Sequence, residues 1–349
     1  MIYVAITAFL FFLRFTTKGR PELNNIFYPM VLSALFLFSA FRYEVGCDWT
    51  GYENQYHISG LMSIDDVVQG RETLWWLIIH SLNGSGLSYP WINVVSSGIA
   101  FFGIHILAKR QPDPLGFLIL LFPVLMINMP MSAIRQGAAI GLVCIAITRL
   151  LDRKAFAYTL WIFLAASFHS SAMIFVVLAP FIGSRVSKLR VFIAAILVIP
   201  GLVLLSSGDS GQVASSRYIG ADREAFGAVF RLGLLALSGI MYLIFIRRAW
   251  RHDFRNDYAL VTLGSFSMIG ILAGLPLSSI IMDRLGYYLI PIQAMIFARI
   301  PWLSNLPSKA LLSAMPYIGL LIFFTVWSLR SGHFQMCYIP YNNWLLGTP

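Results

Sequence analysis

Apolar runs of about 15 to 22 residues recur along the whole chain, each parted from the next by a short charged loop. About 20 apolar residues cross the hydrocarbon core of a bilayer. Inside that core only a segment that satisfies its own backbone hydrogen bonds survives. The pattern therefore predicts an all-α polytopic membrane protein of about 12 transmembrane helices. The expected spans are 2–16, 26–41, 88–108, 114–130, 134–151, 155–170, 171–184, 191–206, 229–246, 258–277, 280–299 and 310–328. Leu74 to Leu82 is apolar but too short to cross, so it reads as a re-entrant or interfacial helix. With 58% of residues hydrophobic and 11% charged, a soluble globule, where charged residues make up roughly a quarter, is excluded. Residues 1–349 read as one integral membrane domain, and 2–16 as a retained first span rather than a signal peptide, because no basic segment precedes it.

The distribution of charge sets the topology. The net charge is +10, yet the basic residues sit in short loops between spans, which marks orientation determinants and not a nucleic-acid surface. Placing both termini outside puts 17 of the 25 basic residues, and every lysine, in inner loops. The eight basic residues left outside are all arginine: Arg42, Arg71, Arg135, Arg217, Arg223, Arg231, Arg284 and Arg330. Lysine would serve equally well for topology, whereas a guanidinium is a rigid fork of donors suited to phosphate and carboxylate. The outer face then carries loops 42–73 and 206–228 and the tail 329–349.

Length constrains the stretch Ala155 to Ser184, 30 apolar residues with basic clusters at both ends. One straight helix would measure about 45 Å against a core of about 30 Å, and would carry one cluster to the outer side. A hairpin keeps both clusters inside, with arms of about 22 Å. Its tip, Phe168 to Ser171, then lies below the outer surface, where polar turns are tolerated only inside protein or beside a water-filled cavity.

Candidate site residues follow from these placements. Phe41 to Tyr56 concentrates Arg42, Glu44, Asp48 and Glu53 among aromatic residues beside an apolar run. Asp48 is a candidate general base or a partner orienting an arginine, and Tyr52 a ligand-orienting aromatic; the plainer reading is a solvated loop with interfacial anchors. Arg42 ends a helix, where a cation is favoured in any case. Arg135 opens the span 134–151, with Ser132 as its expected N-cap. A cation there opposes the helix dipole unless an anion lies between the two, so Arg135 reads as a phosphate ligand, with Gln136 beside it. The alternatives are a snorkelling arginine or one paired with an acid. Arg284, at the outer start of span 280–299 near Tyr287, repeats the logic, although Asp283 adjoins it. His169, at the hairpin tip, is a candidate base or proton donor, or simply a polar group bonded within a turn. Arg217 lies in the loop 206–228.

No metal and no cofactor are expected. The three cysteines and six histidines show no ligand spacing, and P-loop, G-x-S-x-G, H-E-x-x-H and dinucleotide patterns do not occur. Cys47 and Cys337 fall on the same outer face, which leaves a disulfide open; unpaired thiols are the expected state.

Three ordered stretches carry a resemblance: R-Y-E-V-G-C-D-W-x-x-Y (Arg42 to Tyr52), S-A-I-R-Q-G-A-A-I (Ser132 to Ile140) and A-A-S-F-H-S-S-A (Ala165 to Ala172), with Y-I-P-Y (Tyr338 to Tyr341) near the end. Together they resemble the EpsG family of bacterial exopolysaccharide polymerases, related to Wzy-type O-antigen polymerases. Cys47 stands where a small residue such as Thr is expected, and Trp49 where Tyr is common; neither change removes an ionisable group. The resemblance implies a glycosyltransferase in the bacterial inner membrane with its active site facing the periplasm or exterior. It would transfer a polyprenyl-pyrophosphate-linked glycan onto a lipid-linked oligosaccharide repeat unit. The implied partners are these lipid-linked oligosaccharides, membrane lipids and a chain-length regulator, with no nucleic acid. On this reading Arg135 and Arg284, helped by Arg42 or Arg217, hold the pyrophosphate; Asp48 or His169 takes the acceptor proton; and Gln136, Tyr52 and Tyr287 orient the ligands. Two rivals are a lipid-linked oligosaccharide flippase, which would show inverted repeats and broken helices at the midplane, and a membrane acyltransferase with His169 as base, which the outward placement of His169 disfavours.

Overall fold

The computed structural model describes residues 2–182, Ile196 and residues 227–347. Helices dominate it: α1 (Ile2–Thr17), α2 (Pro21–Ala40), α3 (Trp49–Ser59), α4 (Ile64–Gln69), α5 (Thr73–Gly84), α6 (Trp91–Ala108), α7 (Pro114–Leu121), α8 (Ile134–Leu151) and α9 (Ala155–Ala166). After a 3₁₀ segment (Ser170–Phe181) come α10 (Ala228–Met241), α11 (Arg247–Asp253), α12 (Tyr258–Ala273), α13 (Ser279–Arg299), α14 (Lys309–Arg330) and α15 (Gly332–Tyr338). The strands β1 (Arg42–Tyr43) and β2 (Asn342–Asn343) form one short antiparallel pair.

Among the described residues six helices are long and apolar enough to cross a membrane: α2, α6, α8, the run Ala228–Asp253, Ser279–Trp302 and α14. Five shorter apolar helices of 12 to 16 residues accompany them among the described residues, at the expected spans 2–16, 114–130, 155–170, 171–184 and 258–277; of the expected span 191–206 only Ile196 is described. Large apolar side chains stand exposed along α1, α2, α10 and α14, Phe12, Met30, Phe230 and Ile322 among them. A soluble monomer does not leave such surface in water, whereas lipid tails are as apolar as these side chains. The chain is an all-α multi-pass membrane protein. At 12 residues α5 spans about 18 Å, too short to cross.

Two compact units divide the chain. The first comprises Met1–Thr148, Leu160–Ala172 and Met315–Pro349; the second comprises Arg149–Thr159 and Met173–Ala314. In the first unit α7 and its continuation are buried throughout 115–127 and α8 throughout 136–148; in the second, α13 is buried from 286 to 299. Gly103 of α6 and Gly141 of α8 explain how closely the first unit packs. A Cβ on Gly103 would meet the carbonyl oxygen of Gly141 at 1.8 Å, so hydrogen is the only side chain these two backbones accommodate.

Proline shapes α7. The expected span 114–130 begins at Pro114, where the missing N–H is harmless. Pro123 then cannot continue the ladder, and the helix widens into a π turn over Phe122–Met126. The hairpin expected within 155–184 is present. Its arms are α9 and the 3₁₀ segment, which the Tyr158 hydroxyl joins by donating to the Phe175 carbonyl at 2.5 Å. Ion pairs neutralise the deeper charges, as burial demands: Arg14 with Asp113 at 2.5 Å in the first unit, and Arg299 with Asp257 in the second.

Candidate functional site

In the first unit four chain segments meet at the N-terminal end of α8: the loop 42–48, the start of α5, the turn 130–135 and the hairpin tip 167–171. The loop is fixed first. Gly46 adopts φ +107°, and a Cβ there would lie 2.0 Å from the Met131 carbonyl oxygen, so glycine is required both by conformation and by space. Next to it the Cys47 N–H donates to the Ser132 hydroxyl at 3.1 Å. That hydroxyl, expected to cap α8, instead joins the loop to the helix entrance.

The tail closes the loop from the other side. β1 pairs with β2 in the register Arg42–Asn343 and Tyr43–Asn342, and the Gly46 N–H donates to the Cys337 carbonyl at 2.7 Å. This brings the Cα atoms of Cys47 and Cys337 to 4.7 Å, within bridging range, and the two form a disulfide. The expectation of unpaired thiols is thus corrected. Residues 290 apart in sequence become neighbours only through a strand pairing that no local pattern announces. His333 Nε2 lies 2.9 Å from Cys47 Sγ, and the three potential ligand atoms fall within 4.8 Å of one another. The disulfide leaves neither sulfur as a thiolate, the form that binds metal, so the imidazole alone remains as a donor.

Arg42 is fully engaged in this loop. Its Nε donates to the Val45 carbonyl at 3.0 Å, one terminal nitrogen to the Ser39 carbonyl at 2.8 Å and the other to Asn93 Oδ1 at 2.8 Å. All three acceptors are neutral, and burial lowers the guanidinium pKa to about 10. The side chain ties the end of α2 to the loop and to α6.

Arg135 occupies the first turn of α8, half-buried. Glu72 meets it: Oε2 lies 2.5 Å from Arg135 Nη1, while Oε1 accepts the Ser170 N–H at 3.0 Å. Glu72 stands at the residue before α5 in the left-handed region, φ 59° and ψ 46°, a conformation uncommon for a side-chain-bearing residue. One carboxylate therefore bridges the start of α8 and the hairpin tip. Burial opposes its ionisation, but Arg135, His169 and the Ser170 bonds outweigh that and hold the carboxyl below its ordinary value. Beneath the guanidinium lies the Tyr52 ring, 5.6 Å from centroid to Arg135 Cζ and 5.3 Å from the Trp75 ring. Burial pushes the Tyr52 phenol up, so it stays neutral. Arg135 Nε is buried and has no acceptor among the described residues.

At the tip, His169 Nδ1 and the Ser171 hydroxyl lie 2.7 Å apart, and the Trp75 N–H holds the turn by donating to the Ser167 carbonyl at 3.3 Å. Asp48, just before α3, is exposed; its charge acts on Tyr52 and on Arg135. Gln136 follows Arg135 on α8 and is buried. Glu72, a carboxylate that the sequence does not single out, thus joins Arg135 to the hairpin tip beside His169, with Tyr52 against the guanidinium and the charge of Asp48 acting on both Tyr52 and Arg135. An acid directly before an apolar run is a weak helix-start signal and says nothing about a partner 63 residues away.

Arg284 and Tyr287 belong to the second unit. Arg284 is exposed in the second turn of α13. The adjacent Asp283 is gripped by Arg231 instead, Nε to Oδ1 at 2.9 Å and Nη2 to Oδ2 at 2.6 Å. Tyr287 is buried, its ring 5.7 Å from the Arg231 guanidinium. Arg217 lies outside the described residues.

Fold and site together define a class: a multi-pass helical membrane protein with an arginine, an imidazole and carboxylates gathered at the N-terminal end of a helix enclosed by protein. The chain belongs to the EpsG family, whose sequence profile matches residues 25–343. That family is associated with polysaccharide polymerisation. No curated protein and no solved structure matches the chain significantly.

Proposed function

We propose that this chain is a polysaccharide polymerase that works as a glycosyltransferase at the outer face of the bacterial inner membrane. Its donor is a glycan linked to polyprenyl pyrophosphate, and its acceptor a lipid-linked oligosaccharide repeat unit. The observation that carries the reading is the buried, acceptor-less Nε of Arg135 at a helix N-terminus. The dipole and the guanidinium both favour an anion there, while Glu72 steadies the guanidinium through Nη1.

In the reaction an acceptor hydroxyl attacks the anomeric carbon of the donor. The bond from that carbon to the pyrophosphate oxygen breaks, and the leaving group departs with the electron pair. Arg135 stabilises the negative charge that develops on it. Asp48 or His169 takes the hydroxyl proton, and Tyr52 and Gln136 orient the ligands. Arg42 acts at one remove by fixing the loop that presents Asp48. Sidedness follows from the positive-inside pattern: the segments that meet at α8 all belong to the face expected outside.

Deleting the protein in its host and analysing lipid-linked glycans tests the proposal. Single repeat units should accumulate on their carrier while polymer disappears. Polymer of normal length and yield would overturn it, as would a failure of repeat units to reach the outer face. Arg135→Lys, which keeps the charge but loses the fork, should shorten or abolish polymer.

A further inference from the structure

We propose that the second unit carries a binding site for an anionic phospholipid at its arginine-rich end. A cavity of about 610 Å³ opens there, within the size range of ligand pockets. Its lining has two chemistries. Leu178, Phe181 and Leu263 supply an apolar wall, and Arg153, Arg255 and Asn256 supply donors beside one carboxylate, Asp152, which pairs with Arg149. Arg255 also borders an adjoining cleft with Arg248, Arg251 and Tyr258.

The acids around these arginines are engaged elsewhere. Asp257 pairs with Arg299; Asp253 accepts from the Ser304 N–H and hydroxyl and meets His252; Asp152 pairs with Arg149 at 3.7 Å. Among the described residues no carboxylate lies within ion-pair distance of Arg153, Arg248, Arg251 or Arg255. Arg251 instead stacks over the Tyr258 ring, 5.7 Å from its centroid. Arg153 projects from a residue held at φ 60°, where the chain reverses after α8.

A cluster of guanidinium groups with no ion-paired carboxylate among the described residues calls for phosphate oxygens. A small free anion would leave the wall of Leu178, Phe181 and Leu263 without a partner. A phospholipid supplies both halves, its phosphate to Arg153 and Arg255 and an acyl chain to the leucines and Phe181. The leaflet follows from the charge pattern that also orients the proposed polymerase: these arginines belong to inner loops, so the lipid comes from the cytoplasmic leaflet, whose surface is anionic. Binding itself does not depend on that reaction.

The test uses the full chain purified in detergent, with native mass spectrometry during titration by phosphatidylglycerol or phosphatidylcholine of equal chain length. The wild type should retain phosphatidylglycerol preferentially. Arg153→Gln combined with Arg255→Gln should bind it about 30-fold more weakly, and the corresponding lysine pair should keep most of the affinity. Leu263→Asn should also weaken it, while inorganic phosphate alone should compete poorly. Equal retention of the two lipids overturns the proposal, as does unchanged affinity in the glutamine pair. Displacement by millimolar phosphate with no effect of Leu263→Asn would reveal a small-anion site and overturn it too. Should the glutamine pair fail to fold, Leu263→Asn and the lysine pair decide. Polymer yield, read separately, reports on the polymerase proposal alone.

Discussion

Glu72→Gln isolates the bridge at the α8 entrance. Glutamine keeps an acceptor for the Ser170 N–H but turns an amide donor toward Arg135 Nη1. An exposed pair would lose at most about 1 kcal/mol, and removing one partner of a fully buried pair costs about 3–5 kcal/mol. The side chains here are 12% and 27% exposed, so the loss falls between, about 2 kcal/mol, in line with one charge-assisted hydrogen bond. Arg135→Gln should cost a similar amount. Because the two variants remove the same interaction, the double variant should be little worse than either, which leaves a coupling of about 2 kcal/mol. Unfolding by sodium dodecyl sulfate in mixed micelles, followed by tryptophan fluorescence, measures all four corners of the cycle. Additivity within about 0.5 kcal/mol would refute the bridge. The pH dependence has a definite sign. The Glu72 carboxyl is held below its ordinary value of 4.5, so its contribution is complete above that value and is lost as pH falls through the lower folded one. The gap between wild type and Glu72→Gln should be flat across neutral pH and close only in acid. A gap that closes between about pH 5 and 7 contradicts the cited shift.

Two further outcomes follow. Alkylation of the denatured, unreduced protein should label one thiol, Cys144, and reduction should expose Cys47 and Cys337 as well; three labelled thiols before reduction would remove the bridge. Gly46→Ala should destabilise the first unit by more than about 2 kcal/mol in the same unfolding assay, through φ strain and the clash with Met131. Gly51→Ala, where a Cβ meets nothing within 4 Å, should be neutral or stabilising; equal effects at the two glycines would show that the close approach does not matter.

Much of the fold was legible because hydrophobic length and charged loops are local signals. The span 134–151 coincides with α8, and the expected hairpin turns between α9 and the 3₁₀ segment. Boundaries slipped where punctuation was underweighted: α2 starts at Pro21, a favourable first helical residue, and not at 26. Of the site, Arg135 and His169 were readable because their positions conflict with helix dipole and membrane depth. Glu72 was not, since an acid beside Arg71 looks like any solvated loop charge until the fold sets it against α8. Arg42 was read as a ligand group, but it bonds to Ser39, Val45 and Asn93, acceptors that hydropathy cannot reveal.

Residues 42–47 are held by residues 337–343, so the front of the candidate site rests on a segment translated long after it. At about 5–20 residues per second, the 290 positions between Cys47 and Cys337 take on the order of 15 to 60 seconds to synthesise. Throughout that interval the loop before Asp48 lacks its strand partner and its disulfide. A product stopped before Cys337 therefore lacks both the strand pairing and the disulfide that hold this loop.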